Sequence, residues 1–127
     1  MKILLVDTSW PVRDRLRGLI AMLPHTAVVA QADTEDAARQ HLQTHQPELV
    51  VIDPMLRSGS GFEVISHVRS EHPRVTIMVL TNMVYPEYRA KCEGLGAHYF
   101  FDKSKETEAF VAQLARLCTP LPGARHA

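Results

Sequence analysis

Five short apolar runs begin near residues 3, 27, 49, 75 and 97, and amphipathic segments separate them. A run with no polar face must be covered on both sides, and helices crossing between successive parallel strands supply that cover. Ile3 to Val6, Leu49 to Ile52, Val75 to Leu80 and Tyr99 to Phe101 read as buried strands. In the first intervening segment Val12, Leu16, Leu19, Ile20 and Leu23 share one helical face. Ala38 and Leu42 form a thinner stripe in the second, and Phe62, Ile65 and Val68 line the third, which His72-Pro73 ends. The fourth, from Pro86 to Leu95, offers only Tyr88, Cys92 and Leu95, with Gly94 and Gly96 marking its end. The fifth starts after Ser104 and buries Phe110, Val111, Leu114, Leu117 and Cys118. Ser9, with Pro11 in the first turn, is expected to cap the first helix, Asp33 or Thr34 the second and Ser104 the last. Right-handed crossovers then predict an α/β fold, a flavodoxin-like (βα)5 doubly wound parallel sheet of order 2-1-3-4-5. Residues 1–118 form this domain, and 119–127, with Pro120, Pro122 and Gly123, are expected as a flexible C-terminal tail.

The 127 residues suit one domain, and 46% apolar with 22% charged residues is ordinary for a globular chain. Fourteen basic residues balance fourteen acidic ones, which argues against direct nucleic-acid binding. No apolar run reaches membrane-span length, and the N-terminus enters a strand pattern at once rather than a signal peptide, so a cytoplasmic location is expected. Cys92 and Cys118 form no metal or redox motif and read as reduced thiols. His41 and His45 have helical ligand spacing, but no third ligand lies nearby, and a polar outer helix face accounts for them better.

Four residues then stand out. Asp7, Asp53, Thr81 and Lys103 each follow the end of a different apolar run, and in a parallel sheet those ends form one edge. Two carboxylates, a hydroxyl and an ammonium would meet there, a set suited to a divalent cation, a phosphoryl group and a nucleophilic aspartate. Turns favour aspartate for conformational reasons alone, so each residue singly is weak evidence; four at four strand ends are a joint signal. Asp53 precedes the Gly-rich turn Ser58-Gly59-Ser60-Gly61 and could attack a phosphoryl donor. Asp7 could help hold Mg²⁺, Lys103 could meet a phosphate oxygen as a point charge, and the Thr81 hydroxyl could donate to another.

The chain resembles a response-regulator receiver domain of two-component signalling over residues 2 to about 118. The resemblance is carried by Ile3-Leu4-Leu5-Val6-Asp7, Pro47-Glu48-Leu49-Val50-Val51-Ile52-Asp53, Gly59-Ser60-Gly61, Val79-Leu80-Thr81, Gly96-Ala97 and Phe100-Phe101-Asp102-Lys103-Ser104. It implies that Asp53 is the phosphoacceptor, that Asp7, Asp53 and the Met55 backbone carbonyl bind Mg²⁺, and that Thr81 and Lys103 contact the phosphate. It further implies a switch in which Thr81 is drawn toward the phosphate and Phe100 turns inward. The face of the fourth helix, fifth strand and fifth helix would then repack, a face through which receivers also form homodimers. The implied partners are a sensor histidine kinase or phosphotransfer protein and a downstream protein. With no output domain in the sequence, the expected readout is a binding event or a relay.

Three positions depart from the family pattern. Thr8 stands where receivers carry a second acidic residue, so Mg²⁺ affinity should fall, although the Thr8 hydroxyl could still face the ion. Leu56-Arg57 replaces the usual Leu-Pro, and Ser104 replaces the proline after the lysine, leaving the Lys103-Ser104 bond open between trans and strained cis. Arg13 and Arg17, one turn apart on the first helix, suggest either a solvated face or a kinase-docking patch. The alternative function is a pseudo-receiver, an interaction module that works without phosphorylation because Thr8 leaves the metal pair incomplete. An enzyme or flavin protein on a similar fold is disfavoured: Asp7-Thr8-Ser9-Trp10-Pro11 lacks the glycine of a flavin phosphate loop, and Ser9 replaces the second aspartate of aspartyl phosphatases. The chain is therefore expected to catalyse only its own phosphotransfer and dephosphorylation.

Overall fold

The computed structural model describes residues 1–118; the expected tail lies outside the described residues. Five strands alternate with five helices: β1 (Lys2–Val6), α1 (Trp10–Ala21), β2 (Ala27–Ala32), α2 (Glu35–His45), β3 (Leu49–Ile52), α3 (Gly61–Glu71), β4 (Thr76–Thr81), α4 (Pro86–Gly94), β5 (Tyr99–Asp102) and α5 (Thr107–Cys118). The strands form one parallel sheet of order β2-β1-β3-β4-β5, as the alternation of runs and amphipathic segments predicts.

Side-chain alternation along each strand divides the core into two layers. Leu4, Val6, Val50, Ile52 and Val79 face α2 and α3, where Ala38, Leu42, Val64, Ile65 and Val68 are buried, together with Cys92 of α4. Ile3, Leu5, Leu49, Val51, Met78 and Leu80 face α1 and α5 against Leu16, Ile20, Phe110 and Leu114. Each such leucine or isoleucine stabilises the fold by roughly 2 kcal/mol relative to leaving it exposed. The two layers hold the sheet rigid, so side chains at its carboxyl edge have a fixed base.

Helix starts follow their caps in most cases. Ser9 accepts from the Val12 amide at 3.4 Å, and Thr34 accepts from the Ala37 amide at 3.1 Å, which settles the second cap in favour of Thr34. The Ser104 cap is a correction. The Asp102 carboxylate captures the Ser104 amide at 2.8 Å, the Ser104 hydroxyl at 2.7 Å and the Lys105 amide at 3.2 Å. These bonds hold a turn, and α5 starts only at Thr107. Among the described residues no peptide bond is cis, so Lys103-Ser104 is trans. α4 is thinly anchored: Cys92 is its one buried residue, and no side chain caps its start at Tyr85.

Candidate functional site

β1 and the central strand β3 are neighbours, registered Val6 to Ile52, so Asp7 and Asp53 leave the sheet side by side. Backbone bonds fix both exits: the Asp7 amide donates to the Ala32 carbonyl at 3.0 Å and the Asp53 amide to the Val6 carbonyl at 2.9 Å. Thr81 is the last residue of β4 rather than the first beyond it, and Lys103 follows β5 with its amide on the Thr81 carbonyl at 2.9 Å. The four residues converge.

Lys103 Nζ donates to Asp7 Oδ2 and to Asp53 Oδ2, each at 2.6 Å. The other Asp53 oxygen, Oδ1, accepts from Thr81 Oγ1 at 2.9 Å and from the Met55 amide at 3.0 Å. Asp7 Oδ1 accepts from the Ser9 amide at 2.8 Å, and the Met83 amide donates to Thr81 Oγ1 at 3.1 Å. Asp7, Asp53 and Thr81 are the buried polar residues of the described chain, and the Lys103 side chain is only 14% exposed. Burial alone would depress the Lys103 pKa, but hydrogen bonds and charge from Asp53 and Asp7 more than offset it and hold the ammonium above its ordinary value. The cation is therefore firmly protonated between two carboxylates.

Asp7, Asp53 and the Met55 carbonyl offer hard oxygen donors, the chemistry Mg²⁺ takes from proteins while keeping several waters. Thr8 is exposed, and its hydroxyl donates to that Met55 carbonyl at 3.2 Å. The loop after β1 and the loop after β3 are thereby joined where the second acidic residue of a receiver would stand. Among the described residues no group of three or more His, Cys, Asp or Glu gathers as a metal cluster, so a third protein ligand here would be this carbonyl. His41 and His45 have ring centroids 5.4 Å apart on α2.

Two side chains take surroundings that local sequence did not specify. Phe100 is already turned in, 8% exposed in the layer with Val79 and Cys92, and the Arg89 guanidinium lies 5.5 Å from its ring centroid. Arg13 is not a free surface charge: Nε donates to Gln31 Oε1 at 3.1 Å, and Nη1 donates to the Asp7 carbonyl. Local sequence could not reveal the Gln31 bond, because it depends on β2 lying next to β1. Gly61 also serves the site. A Cβ there would lie 2.3 Å from Pro54 Cα, so only glycine lets α3 start against the residue after Asp53.

The family model of the response regulator receiver domain matches residues 3–115. Protein-glutamate methylesterase/protein-glutamine glutaminase 1 of Oleidesulfovibrio alaskensis is 29% identical over 108 residues, covering 84% of this chain and 29% of that protein. Response regulator MprA of Mycolicibacterium vanbaalenii is 30% identical over 127 residues, covering 98% of this chain and 54% of that protein. Among solved structures, a two-component response regulator of the LuxR family from Aurantimonas sp. matches with a TM-score of 0.81 at 30% identity, covering 92% of this chain and 84% of that one. The chain thus spans between 29% and 54% of the length of these two curated relatives. No described helix is long and apolar enough to cross a membrane.

Proposed function

The chain belongs to the response regulator receiver domain family, and on that premise we propose that it accepts a phosphoryl group on Asp53 and signals through α4, β5 and α5. The observation that carries this reading is the Lys103 ammonium, 2.6 Å from both Asp7 and Asp53. It pairs the nucleophile with a fixed positive charge, and phosphoryl transfer depends mainly on positioning and charge neutralisation. The donor is a sensor histidine kinase or phosphotransfer protein, which places the chain in the cytoplasm.

In the transfer, an Asp53 oxygen forms the new P–O bond while the P–N bond to the donor histidine breaks. The electron pair of that bond stays on the ring nitrogen, and neutral imidazole leaves because its other nitrogen already carries a proton. Lys103 and the Thr81 hydroxyl, both on Asp53 at rest, exchange onto phosphoryl oxygens. Asp7, Asp53 and the Met55 carbonyl would hold Mg²⁺, which when bound supplies positive charge to the same oxygens. The product, an aspartyl phosphate with about two negative charges, carries about one more than the carboxylate it replaces and adds three acceptor oxygens. Readout passes to a protein partner or to a second copy through the α4-β5-α5 face.

The second reading, a phosphate-independent pseudo-receiver, is favoured by the Thr8 bond to Met55 and by Phe100 lying buried at rest. Incubation with acetyl phosphate and Mg²⁺, followed by intact mass measurement, separates the two. Gain of one phosphate, absent in Asp53→Asn, is the expected result. No gain with Mg²⁺ or Mn²⁺ would leave the interaction module.

A further inference from the structure

Arg13 and Arg17 share a helix face in sequence but have different surroundings. Arg17 is exposed and pairs with Asp14 of its own helix at 2.9 Å. Arg13 is half-buried and reaches away from α1, bonding Gln31 on β2 and the Asp7 carbonyl at once.

Every polar atom of Asp7 is held. The amide is on Ala32, Oδ1 takes the Ser9 amide, Oδ2 takes Lys103, and the carbonyl takes Arg13. That carbonyl belongs to the peptide plane between Asp7 and Thr8. The plane it shares with the Thr8 amide leads directly into the Thr8–Ser9 peptide, so fixing its tilt restrains where the Ser9 amide points and how it grips the Asp7 carboxylate from behind. It also sets where Thr8 emerges to meet the Met55 carbonyl at 3.2 Å. Water could replace the guanidinium at this half-exposed spot, which would keep the fold but release the plane.

We infer that Arg13 is a positioning residue: by tying the Asp7–Thr8 peptide to β2, it keeps the Asp7 carboxylate aimed at Lys103 and Asp53. Its consequence for phosphotransfer rests on the phosphoacceptor reading, whereas its effect on the loop does not. With Thr8 in place of a second acid, Asp7 has no acidic neighbour to compensate for misplacement, so the cost of losing the anchor falls on it.

The test uses the full chain with Arg13→Ala, Arg13→Lys, Arg13→Gln and Arg17→Ala. One readout needs no metal: hydrogen exchange at the Ser9 amide, which donates to Asp7. The other is Mg²⁺ titration followed by the fluorescence of Trp10, the single tryptophan, exposed and three positions from Asp7. In Arg13→Ala, Ser9 exchange rises and the Mg²⁺ midpoint increases about tenfold, the scale typical of groups that orient metal ligands. The α5 amides stay as in wild type, Arg13→Lys recovers part of the loss, and Arg17→Ala behaves as wild type. Arg13→Gln keeps a donor and carries the measurement if Arg13→Ala does not fold. Unchanged Ser9 exchange overturns the inference, and so does acceleration spread equally over α5. A drop in kinase phosphotransfer alone, with both readouts unmoved, would make Arg13 a docking residue instead. If wild type shows no Mg²⁺ response and no phosphorylation, the phosphoacceptor reading fails, and Ser9 exchange still decides the role of Arg13.

Discussion

Replacing Lys103 with methionine removes the ammonium from between two carboxylates while keeping most of the side-chain volume. Because each oxygen is 2.6 Å from Nζ, Asp7 Oδ2 and Asp53 Oδ2 lie no more than about 5 Å apart. At an effective dielectric of about 20, two like charges at that distance repel by roughly 3 kcal/mol. This agrees with the 3–5 kcal/mol typically lost when one partner of a buried ion pair is removed. At roughly 4 °C per kcal/mol for a chain of this size, Tm should fall by about 12 °C without divalent metal. In wild type the ammonium would compete with Mg²⁺ for the oxygens proposed to hold the ion; in Lys103→Met it would not. Mg²⁺ at ten times its dissociation constant should restore about 1.4 kcal/mol, or about 6 °C, to the variant. The wild-type rise at the same Mg²⁺ concentration should be smaller. Calorimetry of both proteins with EDTA and with Mg²⁺ provides all four Tm values. A variant within about 2 °C of wild type without metal, or an equal Mg²⁺ shift in both, would refute the view of Lys103 as an internal counter-ion.

Three further outcomes follow from particular contacts. Gly61→Ala forces a methyl into Pro54 and should cost about 1–3 kcal/mol while slowing acetyl phosphate labelling; an unchanged urea midpoint would show the loop has room. Burial, and then the charge of Asp53, push the Cys92 thiol up to about 11. An ordinary thiol on the same scale ionises at 9.0, so the native state binds the extra proton and stability should fall by about 2–3 kcal/mol as pH rises through this window. Urea melts at neutral and alkaline pH should show that slope, and Cys92→Ala should flatten it. Bonds from the Ser104 hydroxyl and amide hold the Asp102 pKa below its ordinary value, so its contribution is lost as pH falls into the acid range. Asp102→Ala should lower the urea midpoint more than Ser104→Ala, and the reverse order would restore Ser104 as the organiser of the α5 start.

The sheet order and the meeting of Asp7, Asp53, Thr81 and Lys103 were legible because both follow from repeated local pattern. A short apolar run must be a buried strand, and a residue just beyond it must sit at the edge. Three-dimensional neighbours were less accessible. Val64 is fully buried although the stripe of Phe62, Ile65 and Val68 omits it: Gly61, Val64, Ile65 and Val68 form the buried helical face, and the larger Phe62 lies at its margin. Ser104 has cap chemistry, but Asp102 competes for its amide and hydroxyl and wins. Arg13 looks like half of a surface pair until β2 brings Gln31 beside it. Gly61 appears as one of two glycines in a turn, and only its contact with Pro54 shows why a side chain is excluded there.

The state of Phe100 constrains how a phosphoryl group could be read. The ring is 8% exposed at rest, and a phenylalanine offers about 200 Å² to bury, so less than about 20 Å² remains. At about 25 cal/mol per Å², complete burial would yield roughly 0.5 kcal/mol, a two- to threefold change in population. Driving a switch from nearly off to nearly on takes about 5.5 kcal/mol. From this conformation, in which Thr81 donates to Asp53, further inward rotation of Phe100 would therefore contribute little to a switch. The least anchored part near the ring is α4, with one buried residue, no side-chain cap and Arg89 laid over the ring. Phosphorylation should lift or shift α4 and Arg89 while leaving position 100 buried. Phe100→Trp in a Trp10→Phe background reports this directly: acetyl phosphate with Mg²⁺ should leave the emission maximum within a few nanometres of its resting value, while hydrogen exchange in residues 86–94 changes. A large blue shift with unchanged α4 exchange would return the switch to the ring.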